Sequence, residues 1–131
     1  SQCIVMETGG MKGRRKEWTR QDLHGYLTNR FNVKSIHSEY GMTELMSQAY
    51  SSEGGYYETP PWMKVLIRDI NDPFSVVKGR TGAINVVDLA NFHSCAFIET
   101  QDLGRIDQIG RFEVLGRMDN SDLRGCNLLV E

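Results

Sequence analysis

Seven residues of this 131-residue chain, Ser38-Glu39-Tyr40-Gly41-Met42-Thr43-Glu44, bring an aromatic ring, a glycine, a hydroxyl and a carboxylate into one short stretch. Those are the groups needed to hold ATP. Tyr40 suits the face of a purine, and Gly41 lets backbone approach a phosphate closely. Thr43 can donate to a phosphate oxygen, and Glu44 can share a Mg²⁺ with that phosphate. The plainer reading of the same string is an ordinary turn that opens a helix, with Thr43 as its cap and Glu44 favouring the helix dipole.

Positioning such groups takes a scaffold, and the chain offers one in two styles. Cys3-Ile4-Val5-Met6 reads as a short buried strand running into Glu7-Thr8-Gly9-Gly10, a turn at a sheet edge. Thr19, with Asp22 three residues on, resembles a capping box and predicts a helix of about three turns. Its apolar residues Leu23, Tyr26, Leu27 and Phe31 fall at helical spacing, so that face is expected to pack on a sheet. Residues 33–37 read as a second strand, which puts the Tyr40 stretch just past a strand's carboxyl end, where open α/β sheets bind ligands.

From Gly54 onward the apolar segments become short and strand-like, with no further convincing helix. Strands are expected over residues 63–68, 83–87, 96–99 and 111–115, separated by turns at Asn71-Asp72-Pro73, residues 79–82 and residues 107–110. The predicted fold is therefore α/β (α+β), a short α/β segment over residues 1–53 followed by a small antiparallel sheet or distorted barrel over residues 54–131. The division near Gly54 reads as a subdomain boundary within one compact piece.

Composition narrows the partners. Charged residues are 24% of the chain, the net charge is −2 and the pI is about 5.9, which argues against nucleic acid and anionic membranes. There is no apolar run of the roughly 20 residues that a membrane span requires, and no signal segment opens the sequence, so a cytoplasmic location is expected. Cys3, Cys95 and Cys126 are odd in number and widely spaced, which argues against a disulfide framework or a zinc site.

Three ordered motifs give the chain a family likeness. Tyr40-Gly41-Met42-Thr43-Glu44 comes first. Thr100-Gln101-Asp102-Leu103-Gly104-Arg105 resembles T-G-D-L-G-R, and Gly116-Arg117-Met118-Asp119 resembles G-R-x-D. Between them, residues 79–89 (Gly-Arg-Thr-Gly-Ala-Ile-Asn-Val-Val-Asp-Leu) resemble the G-x-T-G-E-L-x-V-T-D-L stretch of phenylacetate-CoA-ligase-like proteins. In this order they resemble the later part of the large domain of adenylate-forming enzymes, the acyl-CoA synthetase and ligase superfamily. Within it, the chain is most similar to the LuxE-type acyl-protein synthetases. That likeness rests on Glu7-Thr8-Gly9-Gly10-Met11-Lys12-Gly13-Arg14, residues 39–45 and the closing Leu123-Arg124-Gly125-Cys126.

The resemblance implies an ATP-dependent, AMP-forming ligase that activates a fatty acid or other carboxylic acid as acyl-AMP and passes the acyl group to a thiol. In the LuxE-type relatives the acceptor is a cysteine near the carboxyl terminus, a place Cys126 occupies. It further implies that Gly9 and Gly10 line the adenine pocket, Tyr40 covers the base and Thr43 touches the α-phosphate. Glu44 would hold magnesium, Asp102 would accept from both ribose hydroxyls, as a carboxylate can, and Arg117 would add a ribose or phosphate contact. An acyl-acceptor or reductase protein is the partner implied.

The departures are specific. Gln101 stands where the family has glycine, and Ala96-Phe97-Ile98 replaces R-Y-R, removing an arginine from beside the nucleotide. The family's phosphate loop and its lysine-bearing mobile domain are expected outside residues 1–131, which alone are expected not to complete adenylation. Two other readings stand beside this one: a CoA ligase of the phenylacetate type, and a binding module that keeps the fold without the activity. For Cys126 the alternative is a small apolar residue in a closing strand. His93-Ser94-Cys95 lacks the orienting group of a nucleophilic dyad and reads as structural. His37 reads as a strand-end residue or as a flank of the acyl pocket, and Lys12, Arg14, Arg15 and Lys16 as a solvated loop or a phosphate contact.

Overall fold

A computed structural model of the chain describes residues 3–9 and 18–118. The order of elements is β1 (Met6–Glu7), α1 (Arg20–Phe31), β2 (His37–Tyr40), β3 (Ala49–Ser51), β4 (Tyr56–Tyr57), β5 (Met63–Arg68), β6 (Gly82–Asp88), a single 3₁₀ turn (Leu89–Asn91), β7 (Phe97–Ile106) and β8 (Phe112–Arg117). One sheet has the order β1-β2-β3, with β1 parallel and β3 antiparallel to β2. The other has the order β4-β8-β7-β6-β5 and is antiparallel throughout.

The helix begins as its sequence requires. Thr19 is the N-cap, its Oγ1 accepting from the Asp22 amide at 3.2 Å, and Asn32 closes the helix in the left-handed conformation at φ 49°. The expected apolar face differs from what is seen. No residue of α1 is buried, and Tyr26 and Phe31 are 45% and 58% exposed. The helix is tied down by polar contacts instead: His24 Nε2 lies 3.3 Å from both Glu7 Oε1 and Ser38 Oγ, and the Arg20 guanidinium sits over the Tyr57 ring. Burial would push the Glu7 carboxyl up, but hydrogen bonds from Ser38, His24 and the Gly9 amide, with the charge of Arg20, hold it below the usual range.

Strand β2 lies later than expected, at His37–Tyr40 rather than residues 33–37. Its buried side is Ser38 and Tyr40, continuing from Ile36. A buried serine interrupts the apolar pattern and pulls the reading of the sequence upstream. Tyr40 is thus the last residue of the strand, and residues 41–48 form a turn rather than a helix start, with the Leu45 amide donating to Met42 O. Strands β5 and β6 fall where expected, β8 runs two residues further, and β7 continues to Ile106, so that the Asp102 motif lies inside a strand. Strands β3 and β4 were not anticipated; both are too short to show periodicity.

Alternation explains the core. Met63, Val65 and Ile67 of β5 and Ile84 and Val86 of β6 point the same way and are buried. They join Tyr40, Leu45, Ala49, Tyr57 and Phe112 in one cluster that draws on both sheets. Each such apolar side chain contributes roughly 1.5–3 kcal/mol when taken fully from water. Gly104 is required by close approach: a Cβ there would meet the Glu113 carbonyl oxygen and stand 2.7 Å from Ile84 Cδ1. The backbone is kept tight where β7 shifts register against β8, between Leu103 and Gly104.

Candidate nucleotide site

Asp102 is the meeting point of motifs far apart in sequence. Tyr40 Oη donates to Asp102 Oδ2 at 2.9 Å, and the Arg117 Nε lies 3.5 Å from Asp102 Oδ1. Asp102 and Arg117 are also directly paired across β7 and β8. The Asp102 amide donates to Thr100 Oγ1 at 3.1 Å, and that hydroxyl donates to Ile84 O at 2.8 Å, so the carboxylate sits on a braced stretch of backbone. Arg117 is mostly exposed, whereas the Asp102 side chain is largely covered.

Tyr40 is 8% exposed. Its ring packs edge-on against Phe112 and at a tilt against Tyr57, which in turn stacks on Phe112. Embedded this way, Tyr40 reaches the site through its hydroxyl. Burial, and then the neighbouring Asp102 charge that accepts its proton, push the phenol far above its ordinary value, so the hydroxyl remains a donor. Tyr57 is also raised, chiefly by burial.

Thr43 and Glu44 are exposed at the tip of the turn that follows β2, with Gly41 exposed at its start. The turn is fastened from below by Asp88, which stands in the residues 79–89 stretch with no role assigned to it there, and by Trp62 and Asn91, which belong to none of the motifs. Asp88, wholly buried at the end of β6, accepts from the Met46 and Ser47 amides at 2.9 and 2.8 Å and from Ser47 Oγ at 2.7 Å. Trp62 Nε1 donates to the same Ser47 Oγ at 2.9 Å. Asn91 Nδ2 donates to Glu44 O at 2.8 Å and to Cys95 O at 2.9 Å. An aspartate closing a strand just ahead of a helical turn is the signal available in the sequence, since Asp88 also caps the 3₁₀ turn.

Gly9 lies two residues beyond the last pair of β1 with β2, at φ 80°, a conformation that favours glycine, and its amide donates to Glu7 Oε2. Gly10 and Cys126 lie outside the described residues, as do Asp119, Arg124 and the basic residues 12–16. His93-Ser94-Cys95 falls in a turn, not on a strand. An arginine two strands away approaches the stretch before Asp102. Arg68 of β5 reaches over β6, bonding Asn85 Oδ1, to Glu99 at 2.8 Å and Thr100 O at 3.4 Å. It lines an open cleft of about 370 Å³ with Glu99, Thr100, Gln101 and Met118.

Among the described residues no group of three or more His, Cys, Asp or Glu side chains is arranged to hold a metal. A lone exposed carboxylate such as Glu44 fits Mg²⁺ in the manner of nucleotide sites, where one or two carboxylates act with the phosphates. No helix among the described residues is long and apolar enough to cross a membrane.

Neither a protein-family model nor a curated protein matches the chain. Among solved structures it is similar to apo MatB from Rhodopseudomonas palustris, at 20% identity and a TM-score of 0.61, over 87% of this chain and 25% of that one. ATP-bound MatB from the same organism matches at 22% identity and 0.56, over 73% and 23%. A benzoate CoA ligase from Burkholderia xenovorans LB400 matches at 19% and 0.52, over 78% and 24%. The chain spans about a quarter of each of these solved chains. What the likeness shows is the fold: mixed α+β with a small curled antiparallel sheet.

Proposed function

We propose that this chain supplies the nucleotide-binding part of an ATP-dependent, AMP-forming ligase acting on a carboxylic acid. One observation carries the reading: Tyr40, Asp102 and Arg117, from three motifs that span 78 positions of sequence (40 to 117), converge on one carboxylate. Asp102, aimed by the Tyr40 hydroxyl, accepts the two ribose hydroxyls; Gly9 and Gly10 are assigned to the base pocket, and Arg117 to ribose or phosphate. Thr43 donates to the α-phosphate. Glu44 helps hold Mg²⁺, which when bound neutralises phosphate charge. The similarity in fold to MatB, solved with ATP bound, supports this reading.

Activation then needs little from the protein beyond positioning and charge balance. A carboxylate oxygen of the substrate attacks the α-phosphorus, and pyrophosphate leaves. In the acyl-protein synthetase form of the proposal, the Cys126 thiolate attacks the acyl carbon and AMP departs, leaving a thioester. The fold shared with a benzoate CoA ligase favours a second form, in which the thiol of CoA takes that place.

The test is intact mass of the full-length protein after incubation with ATP, Mg²⁺ and a fatty acid. A hydroxylamine-sensitive acyl adduct that disappears in Cys126→Ser, with adenylate formation retained, is the expected result. AMP release that requires CoA, with no adduct, replaces the first form by the second. No acid-dependent turnover of ATP in either setting overturns both.

A further inference from the structure

The turn that presents Thr43 and Glu44 has no regular secondary structure of its own, yet its far side is bonded to two buried side chains from elsewhere in the chain. Both oxygens of Asp88 are in use: Oδ2 accepts the Met46 and Ser47 amides, and Oδ1 accepts the Ser47 hydroxyl and the Ala90 amide. Asn91, 7% exposed, donates to the carbonyl of Glu44 itself. Residues 44–47 are therefore held from the end of β6, about forty residues later in sequence (Met46 to Asp88 is 42 positions). Burial alone would raise the Asp88 carboxyl; the bonds from Ser47, Met46 and Ala90 outweigh it and hold the group below its ordinary value, so the clamp is an ionised one.

We infer that Asp88 and Asn91 are positioning residues for the phosphate end of the site, fixing the turn so that Thr43 and Glu44 face the α-phosphate and its Mg²⁺. This rests on the nucleotide reading above. The ribose end is built separately, from Tyr40, Asp102 and Arg117, and none of these is hydrogen-bonded to Asp88 or Asn91. The two ends are consequently separable by substitution. Neither Asp88 nor Asn91 meets the nucleotide, and each acts only through the backbone it holds. Trp62 provides a native reporter, because its indole N–H is bonded to the Ser47 hydroxyl that Asp88 holds.

The experiment compares full-length wild type with Asp88→Ala by three readouts: amide hydrogen exchange at Met46 and Ser47, affinity for ATP with and without Mg²⁺, and affinity for adenosine. Both amides should exchange at least about tenfold faster, since each loses a bond to a charged acceptor. ATP affinity in the presence of Mg²⁺ should fall about tenfold, while adenosine affinity changes less than about twofold. Should Asp88→Ala fail to fold, Asn91→Ala releases the Glu44 carbonyl from the other side of the turn and is read the same way. Freed amides with unchanged Mg²⁺-dependent ATP binding overturn the inference and leave the nucleotide reading intact. Equal losses for ATP and adenosine also overturn it, because they mark a general structural role. Absence of ATP binding by the wild type overturns the nucleotide reading and this inference together.

Discussion

Removing one oxygen from Tyr40 tests the site at its centre. In Tyr40→Phe the ring still packs on Phe112 and Tyr57, but Asp102 loses its only tyrosine donor and becomes free to reorient. A net loss of about 1 kcal/mol in stability is expected, with ATP affinity falling several-fold as the carboxylate loses its fixed aim. If Asp102 holds the ribose as proposed, Asp102→Ala should lower adenosine and ATP affinity alike by about a hundredfold; titration calorimetry measures both, and unchanged adenosine binding in Asp102→Ala would remove Asp102 from the site. Tyr40, Asp102 and Arg117 are singled out in the sequence by the motifs in which they stand, and the resemblance is what assigns Asp102 and Arg117 to a ligand. Their mutual contacts were not. Nothing in a one-dimensional string says that a phenol at position 40 will donate to a carboxylate at 102, and the bracing roles of Ser38, Asp88 and Asn91 were hidden because a buried polar residue looks like any surface one until its partners are known.

Among the elements, legibility followed length and pattern. Strand β5 was readable to the residue, because burial of Met63, Val65 and Ile67 imposes period two over most of its length. The two- and three-residue strands β3 and β4 exist through their neighbours: Tyr50 and Glu58 exchange backbone bonds at 3.1 and 2.8 Å, and β4 pairs with β8. The helix was readable through its cap but not through its face, since it is held by the Glu7, His24 and Ser38 contacts in place of apolar burial. It follows that Thr19→Ala, which removes the cap, costs about 1 kcal/mol locally. Hydrogen exchange should show fraying confined to α1 with strand amides unchanged. Phe112→Ala should behave in the opposite way. Its side chain is fully buried between the aromatic rings of both sheets, so a loss of about 3–5 kcal/mol spread over β4, β7 and β8 is expected.

For the whole molecule, the single core shared by the two sheets means that charge changes at either edge are felt as global stability, and the buried ionisable groups set the pH limits. Asp88 and Glu7 are both held below their ordinary values in the folded state. A carboxylate with a depressed folded value adds stability that is complete above its unfolded value, roughly 4, and is lost as pH falls through the folded one. Tyr40 and Tyr57 are raised, so their contribution is complete below the unfolded phenol value of about 10 and is lost as pH rises through the folded values. These four groups therefore give stability an acid limb below about pH 5 and a separate alkaline limb above about pH 9. The limbs are assignable: Asp88→Asn should flatten part of the acid limb and leave the alkaline one, whereas Tyr40→Phe should do the reverse. Urea unfolding followed across pH measures both slopes. An acid limb that survives Asp88→Asn unchanged would shift the acid dependence onto Glu7 and its contacts with the helix. The turn over residues 41–48 would then be secured independently of the charge beneath it.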